Sequence, residues 1–319
     1  PLISLIPPKS LYQKNLYGLT RAVSPLPYLR HSPSYQNLSA HCLDGFDAKI
    51  LPDSFIVAGL GGGGGLKNIQ DTFVKRAQAE MAYKAPKEMN EYILKYFCRD
   101  KSFYGNDLLT QEIATRWIKS IREKLSSGFN RVGEELQKSK EYQVHQATTT
   151  LLSIAAFPYK QDNKINYHVE GFNFGNSLAL YYSPAQQKFK TISSSVMKQK
   201  EKAPIQYPSH YLEKQDNYRP FTITATPGDF IILCSYNVVD YLPHKVQEMG
   251  VDSIVELKDP KISQYLYNKL KNQEKTSKNI ANFLVNYNTS ANLTDEDFTL
   301  MVIQLPVWEE RQKEIRIAK

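Results

Sequence analysis

The sequence predicts an α+β domain in which helices lie outside antiparallel β-sheets, and three features of the chain support this fold class. Between residues 66 and 125 the apolar residues recur at the three- and four-residue spacing of amphipathic helices. From residue 148 to 182 short apolar segments are divided by Asn, Gly, Pro and Asp, which is typical of antiparallel strands joined by tight turns. Strand-like segments return later in the chain, and few parallel crossovers are predicted.

A run of glycines lies at the centre of this pattern. Residues 54–58 are predicted as a short buried strand, Gly59 and the run Gly61–Gly65 follow, and residues 66–83 have the period of one helix face. Gly59, Gly61 and Gly64 match the dinucleotide motif G-x-G-x-x-G, which cradles a pyrophosphate at a helix N-terminus. So many glycines satisfy almost any glycine motif, and a plain flexible turn is the alternative interpretation.

The elements before residue 148 are predicted from breakers and caps. Residues 1–35 hold six of the 17 prolines and are predicted as an irregular N-terminal arm. A strand is expected at 36–42, followed by a turn at 45–52. Pro86 is expected to end the first helix, and further helices are predicted at 87–99 and at 107–125, the last with Asn106 as its N-cap.

The rest of the chain alternates strands with polar segments. Strands are predicted at 149–157, 165–174, 178–182, 221–226, 230–235 and 299–305. Residues 193–219 are rich in Lys and Tyr and are predicted as a reduced, solvated flap loop. Helices are predicted at 238–249 and 259–288, with 253–279 as a charged helical insert, and residues 306–319 as a charged helical tail.

Composition limits the function classes. The chain has 319 residues, a net charge of +8 and three well-separated cysteines, which argues against a disulfide framework and favours an intracellular protein. No apolar run has the length of a membrane span. The lysines are spread along the chain, so nucleic acid is an unlikely partner. Richness in Lys, Asn, Ile and Tyr is typical of an AT-rich genome; if the source is an intracellular bacterium, a secreted effector acting in the host cytosol is one interpretation.

Four segments of the chain, taken together, resemble the motifs of one known family. They are residues 55–62, Phe-Ile-Val-Ala-Gly-Leu-Gly-Gly; residues 149–155 with 173–180, which end in Asn-Phe-Gly-Asn-Ser-Leu-Ala-Leu; residues 227–242, which begin Pro-Gly-Asp-Phe-Ile-Ile-Leu-Cys-Ser-Tyr-Asn; and residues 295–303, Asp-Glu-Asp-Phe-Thr-Leu-Met-Val-Ile. They are similar to the strands of the protein phosphatase 2C family of metal-dependent Ser/Thr phosphatases. The resemblance covers residues 36–305 and implies an α-β-β-α sandwich of two antiparallel sheets flanked by helices.

The resemblance also implies where a metal site would lie. The family uses Mg²⁺ or Mn²⁺ ions to activate water, and such hard ions need carboxylate oxygens. The matching positions in this chain are Gly59 with Leu60, Asn176, Tyr236 with Asn237, and Glu296. Among them only Glu296 keeps a carboxylate, and Asp297 follows it. We therefore expect these positions to cluster at one end of the sandwich as a degenerate site, with no catalytic residue and no cofactor; Glu296 and Asp297 would hold any metal.

Three functions follow from these observations. The leading hypothesis is a catalytically inactive phosphatase-like domain, a pseudophosphatase, that acts by binding another protein. The second is a divergent Mg²⁺- or Mn²⁺-dependent phosphoesterase whose ligands come from other carboxylates. Those carboxylates are Asp44, Asp47, Asp53, Asp71, Glu296 and Asp297. The third is a nucleotide binder that uses the loop Gly59–Gly65.

Overall fold

The structure is a computed structural model of the chain. It describes residues 10–13, 15–21, 44–51, 53–62, 72–97, 109–145, 149–175, 177–193, 219–235, 260–290 and 298–307. None of the helices in these ranges is both long and apolar enough to span a membrane. The predicted helix at 238–249, most of the flap at 193–219 and most of the tail at 306–319 lie outside these ranges.

The strands form two sheets whose strands run antiparallel. In spatial order, sheet 1 contains β1 (Ser10–Gln13), β2 (Leu16–Arg21), β12 (Phe298–Gln304), β11 (Phe230–Cys234), β8 (Leu178–Ser183) and β9 (Lys188–Thr191). Sheet 2 contains β10 (Arg219–Ala225), β7 (Lys164–Phe174), β6 (Thr150–Gln161), β4 (Ile56–Gly62) and β3 (Asp44–Ile50). The two-residue strand β5 (Leu109–Thr110) is the exception, because it pairs parallel to β6.

Helices cover the outer face of each sheet, so the four-layer sandwich predicted from the sequence is confirmed. The helices are α1 (Thr72–Phe97), α2 (Gln111–Gln137), α3 (Lys140–His145), α4 (Pro260–Leu270) and α5 (Ser277–Ser290). Helices α1 and α2 pack on sheet 2, where Trp117 contacts Phe55 and Phe157. Leu266 of α4 and Ile280 of α5 pack on sheet 1.

Side chains point alternately to the two faces of each strand, so each sheet also has an inner face that packs against the other sheet. Residues such as Leu60, Ile154, Tyr167, Ile231 and Met301 are fully buried between the sheets, while their sequence neighbours face the helices. Strands at 149–157, 165–174, 178–182, 221–226, 230–235 and 299–305 were predicted and all six are confirmed. The predicted charged insert at 253–279 contributes α4, whose Leu266 and Leu270 belong to the core.

Helix α1 continues through Pro86, so the predicted break at this residue is wrong. Proline has no N–H to bond the carbonyl of Ala82, one turn earlier. That carbonyl lies instead against Gly45 and Gly61 of β3 and β4: a Cβ added to Gly45 would stand 2.8 Å from Ala82 O, and one on Gly61 would overlap it. Pro86 itself covers Gly59, where an added Cβ would approach its ring at 2.9 Å. The glycines thus let α1 pack directly on the strand backbones.

Three further expectations for the N-terminal half are corrected. Part of the predicted irregular arm forms β1 and β2, because β2 completes the ladder beside β12. Most of the segment 45–52, which was predicted as a turn, belongs to strand β3. Its Gly45 allows a close contact with α1 and does not form a turn. Helix α2 begins later than predicted, and its N-cap is Thr110, whose hydroxyl accepts from Ile113 N, and not Asn106.

Candidate functional site

The family-like segments end at one end of the sandwich. In sheet 2, the last residue of β4, Gly62, pairs with Thr150, and Leu151 beside it pairs with the last residue of β7. In sheet 1, Cys234 closes β11 and pairs with Leu178 and with Leu300. Only residues 175–177 separate β7 in sheet 2 from β8 in sheet 1, so the two sets of strand ends lie together. We call this region the polar end.

Six polar side chains point inward between the sheets at the polar end, by the same alternation that places apolar residues in the inner core. They are Asp44, Thr150, Asn173, Ser177, Ser235 and Thr299. All are buried apart from Thr150, which is half-buried. Within the described part of the chain, this inward-facing set therefore contains four hydroxyls, one amide and a single carboxylate, that of Asp44.

Several of these groups hydrogen-bond to backbone of the polar end. Thr150 Oγ1 accepts from Gly62 N at 3.1 Å, and Asn173 Nδ2 donates to Ser177 O at 2.7 Å. In sheet 1, Ser235 Oγ accepts from Thr299 N at 3.0 Å. The polar side chains thus satisfy strand ends that leave the regular ladder.

Among the described residues, Asp44 is the one carboxylate that faces inward at this end. It is 7% exposed, and its Oδ1 lies 3.2 Å from the position that a Cβ on Gly62 would take. No three His, Cys, Asp or Glu side chains come together in a metal-binding group among the described residues. A lone carboxylate is a poor match for Mg²⁺ or Mn²⁺.

Two other carboxylates of the divergent-enzyme hypothesis, Asp47 and Asp53, are not brought to Asp44. Asp47 lies further along β3 and on its opposite face, towards α1, where Asn90 Nδ2 donates to its Oδ2 at 3.0 Å. Asp53 lies in the β3–β4 turn at the opposite end of these strands, and its Oδ1 accepts from Phe55 N at 3.1 Å. Asp71, Glu296 and Asp297 lie outside the described residues.

The structure also locates two of the predicted site residues. Gly59 was matched to a metal-ligand position, but it lies within β4 under Pro86, and the strand continues to Gly62. Leu60 is fully buried between the sheets. These two residues are therefore packing positions and not strand-end positions. Asn176, Tyr236, Asn237 and Glu296 lie outside the described residues, so their predicted clustering stays a prediction.

The nucleotide-loop interpretation of the glycine motif is wrong at its first two glycines. Gly59 and Gly61 are strand residues covered by α1, and a phosphate has no access to a backbone that a helix already contacts. The motif requires these glycines in the loop between strand and helix.

A second polar cluster, which the sequence analysis missed, joins α2 to the outer face of sheet 2. Arg122 Nε and Nη2 donate to the two carboxylate oxygens of Glu170 at 2.7 and 3.2 Å. His168 Nε2 lies 2.9 Å from Glu170 Oε2. Burial alone would raise the pKa of Glu170, but the hydrogen bonds from His168 and Arg122 outweigh it and hold this pKa below its usual value. A charged residue inside a predicted strand was the available signal, because such a residue needs a partner.

Two buried hydroxyls of the polar end allow a matched test. Thr299 is fully buried, and its Oγ1 has no hydrogen-bond partner among the described residues, whereas Ser235 Oγ accepts from Thr299 N. Thr299→Val should leave the free energy of unfolding unchanged within about 0.5 kcal/mol, while Ser235→Ala should cost about 1 kcal/mol. Urea denaturation of both variants measures this difference. An equal or larger cost for Thr299→Val would mean that its hydroxyl is hydrogen-bonded in the folded chain.

No model of a known protein family matches the chain, and no curated protein sequence matches it. Among solved structures, it is similar to PppA, a key regulatory component of T6SS in Pseudomonas aeruginosa, with 12% identity, a TM-score of 0.49 and coverage of 93% of this chain and 99% of that chain. It is similar to the Mycobacterium tuberculosis serine/threonine phosphatase PstP/Ppp, with 13% identity, a TM-score of 0.47 and coverage of 92% and 100%. A third is the PP2C phosphatase domain with a regulatory-domain fragment of SpoIIE from Bacillus subtilis, with 12% identity, a TM-score of 0.47 and coverage of 93% and 64%. These similarities concern the fold and not the activity.

Proposed function

We propose that this chain is a phosphatase-like domain that does not hydrolyse phosphoesters and acts by binding another protein. The observation that carries the proposal is the composition of the polar end. Where metal-dependent chemistry would need several carboxylates, the described inward-facing side chains are hydroxyls and an amide, with Asp44 as their one carboxylate. Of the motif positions, Asn176, Tyr236 and Asn237 are likewise uncharged, while Glu296 keeps a carboxylate.

A two-metal site has to compensate a large positive charge. Two divalent cations in one site repel each other, and each must give up part of its hydration shell. Carboxylates compensate both costs, whereas neutral hydroxyls compensate neither. The composition of the polar end therefore supports the proposal that the protein uses no metal cofactor. The apolar residues around this end remain fully packed.

A metal-dependent phosphatase assay tests the absence of catalysis. The full chain should release no product from an aryl phosphate above the rate of buffer, with Mn²⁺ or Mg²⁺ at millimolar concentration, because the described side chains of the polar end carry too little negative charge to hold two ions. The release of the aryl alcohol is followed by absorbance. Metal-dependent turnover that a chelator stops would contradict the proposal.

The divergent-enzyme alternative has one observation in its favour, which is Asp44. It is a buried carboxylate at the same end as the family-like strand termini. If turnover is found, Asp44→Asn should abolish it in an enzyme that uses this end, while Asp47→Asn should not, because Asp47 faces α1 and is held by Asn90. Loss of turnover in Asp44→Asn alone would establish this alternative.

A further inference from the structure

The cluster of Arg122, Glu170 and His168 lies away from the polar end, on the helix-facing side of sheet 2. Glu170 is centrally placed in β7, and the register pairs it with Thr222 of β10 and pairs His168 with Thr224. Paired residues of antiparallel strands share a face, so both threonines lie on the same side as the cluster. Both are exposed, and β10 is the edge strand of the sheet.

The buried carboxylate of Glu170 fixes the orientation of Arg122. The Glu170 side chain is 1% exposed, and it holds two N–H groups of Arg122, whose own side chain is 53% exposed. Arg122 makes no other hydrogen bond or ion pair within the part of the chain that the structure describes. The remaining N–H groups of its rigid, planar guanidinium are thus available, and less side-chain entropy is lost when they bind a ligand.

The side chains around Arg122 differ in what they can offer a ligand. Thr224 carries an exposed hydroxyl beside His168, and Lys119 is exposed one turn before Arg122 on α2. Thr222 Oγ1 donates its proton to Val169 O, so this hydroxyl can only accept a further hydrogen bond. Glu123 is the exposed acid next to Arg122 in sequence. The charges of Arg122 and Glu170 compensate each other, and Lys119 and Glu123 carry one further charge of each sign, so hydrogen-bond donors rather than net charge favour a ligand here.

We infer that the surface around Arg122, on the helix-facing side of β7 and its neighbour β10, binds the phosphate group of a phosphorylated side chain on a protein partner, with Arg122 as its main contact. A purely structural ion pair needs only the two bonds between Arg122 and Glu170. Several unused guanidinium donors, with the Thr224 hydroxyl on the same face of the sheet, suit the three terminal oxygens of a phosphate monoester better than the two oxygens of a carboxylate. This assignment rests on the proposed function, because it names the kind of partner that a non-hydrolysing domain would bind.

The test is a titration of the ¹⁵N-labelled full chain with three probes: inorganic phosphate, the tripeptide Gly-phosphothreonine-Gly and the tripeptide Gly-Glu-Gly. The backbone amide signals of β10 and the Arg122 Nε–H signal should shift in a saturable way with the first two probes. The phosphopeptide should bind at least about tenfold more tightly than the Glu peptide. Equal affinity for the two peptides, or no shift at these signals with phosphate, would overturn the inference.

Variants separate binding from folding. Arg122→Met keeps the aliphatic stem and removes the guanidinium, and Arg122→Met with Glu170→Gln also removes the buried charge, so at least one of them should fold. Both should lose the phosphate-induced shifts. Lys124→Met is the matched control, because it removes a cation from the same helix that lies 3.9 Å from the Tyr96 ring and not near Glu170. Loss of the shifts in Lys124→Met, or their persistence in the Arg122 variants, would contradict the site.

The same experiment distinguishes this inference from the proposed function. Release of inorganic phosphate from the phosphopeptide would show that the chain is an enzyme, while binding at Arg122 could still stand. Absence of release together with absence of binding would leave the proposed function in place and remove the phosphate site.

Discussion

Gly61→Ala should destabilise the domain by about 2–3 kcal/mol, which is a large effect for the addition of one methyl group. The added Cβ would overlap the carbonyl oxygen of Ala82, and backbone atoms on both sides of this contact are held by the strand ladder and by the helix. Relief would require α1 to move away from β3 and β4. Urea denaturation followed by circular dichroism measures the loss.

The adjacent glycine is the control for this prediction. A Cβ on Gly62 would meet the Thr150 Oγ1 at 2.8 Å and Asp44 Oδ1 at 3.2 Å, and both are ends of side chains that can rotate. Gly62→Ala should therefore change the stability by no more than about 1 kcal/mol, partly because alanine restricts the unfolded chain. If Gly61→Ala is tolerated as well as Gly62→Ala, the glycines do not serve helix packing and the interpretation as a ligand loop gains support.

Arg122→Met should cost about 2–3 kcal/mol at neutral pH, because it leaves the Glu170 carboxylate buried without its cation. Half-exposure of Arg122 keeps this below the cost of breaking a fully buried pair. Adding Glu170→Gln to this variant should recover a large part of the loss. Arg116→Met is the matched control: its partner Glu112 and Arg116 itself are 79% and 74% exposed, so less than about 0.5 kcal/mol is expected.

The pH dependence of this pair has a definite sign. Since the folded-state pKa of Glu170 is lowered, its contribution to stability is fully present above the pKa of an unfolded Glu, about 4.3, and is lost as the pH falls through the folded-state pKa. The difference between wild type and Arg122→Met should therefore narrow on acidification. Thermal unfolding from pH 7 to pH 3 measures it, and a difference that widens in acid would contradict the assigned charge state.

The strands from residue 149 onward could be predicted because their apolar residues alternate between turns that Asn, Gly, Pro and Asp make explicit. The N-terminal half could not be predicted as well, because its glycines and prolines do not act as breakers. Pro86 stays within α1 since the carbonyl that it leaves unpaired packs on Gly45 and Gly61. Such tertiary contacts are invisible to local patterns.

The clustering of the candidate-site positions at one end of the sandwich stays a prediction, because Asn176, Tyr236, Asn237 and Glu296 lie outside the described residues. The motif match placed a ligand position at Gly59, whereas the strand runs on to Gly62 beside Asp44 and Thr150. The pairing of Asp44 with Gly62 depends on the register of β3, which was predicted as a turn. The cluster at Arg122 was missed because it joins a helix to a strand that is far away in sequence. The local pattern of each element does not indicate which residue of the other element it contacts.

A calorimetric titration of the full chain with Mn²⁺ tests the central claim most directly. The account predicts only heats of dilution up to millimolar Mn²⁺ in the wild type, and no difference between wild type and Asp44→Asn, because the one carboxylate that the described residues place among the hydroxyls does not hold the ion. Saturable binding of roughly one or two ions per chain, lost in Asp44→Asn and kept in Asp47→Asn, would contradict it and would identify the polar end as a working metal site.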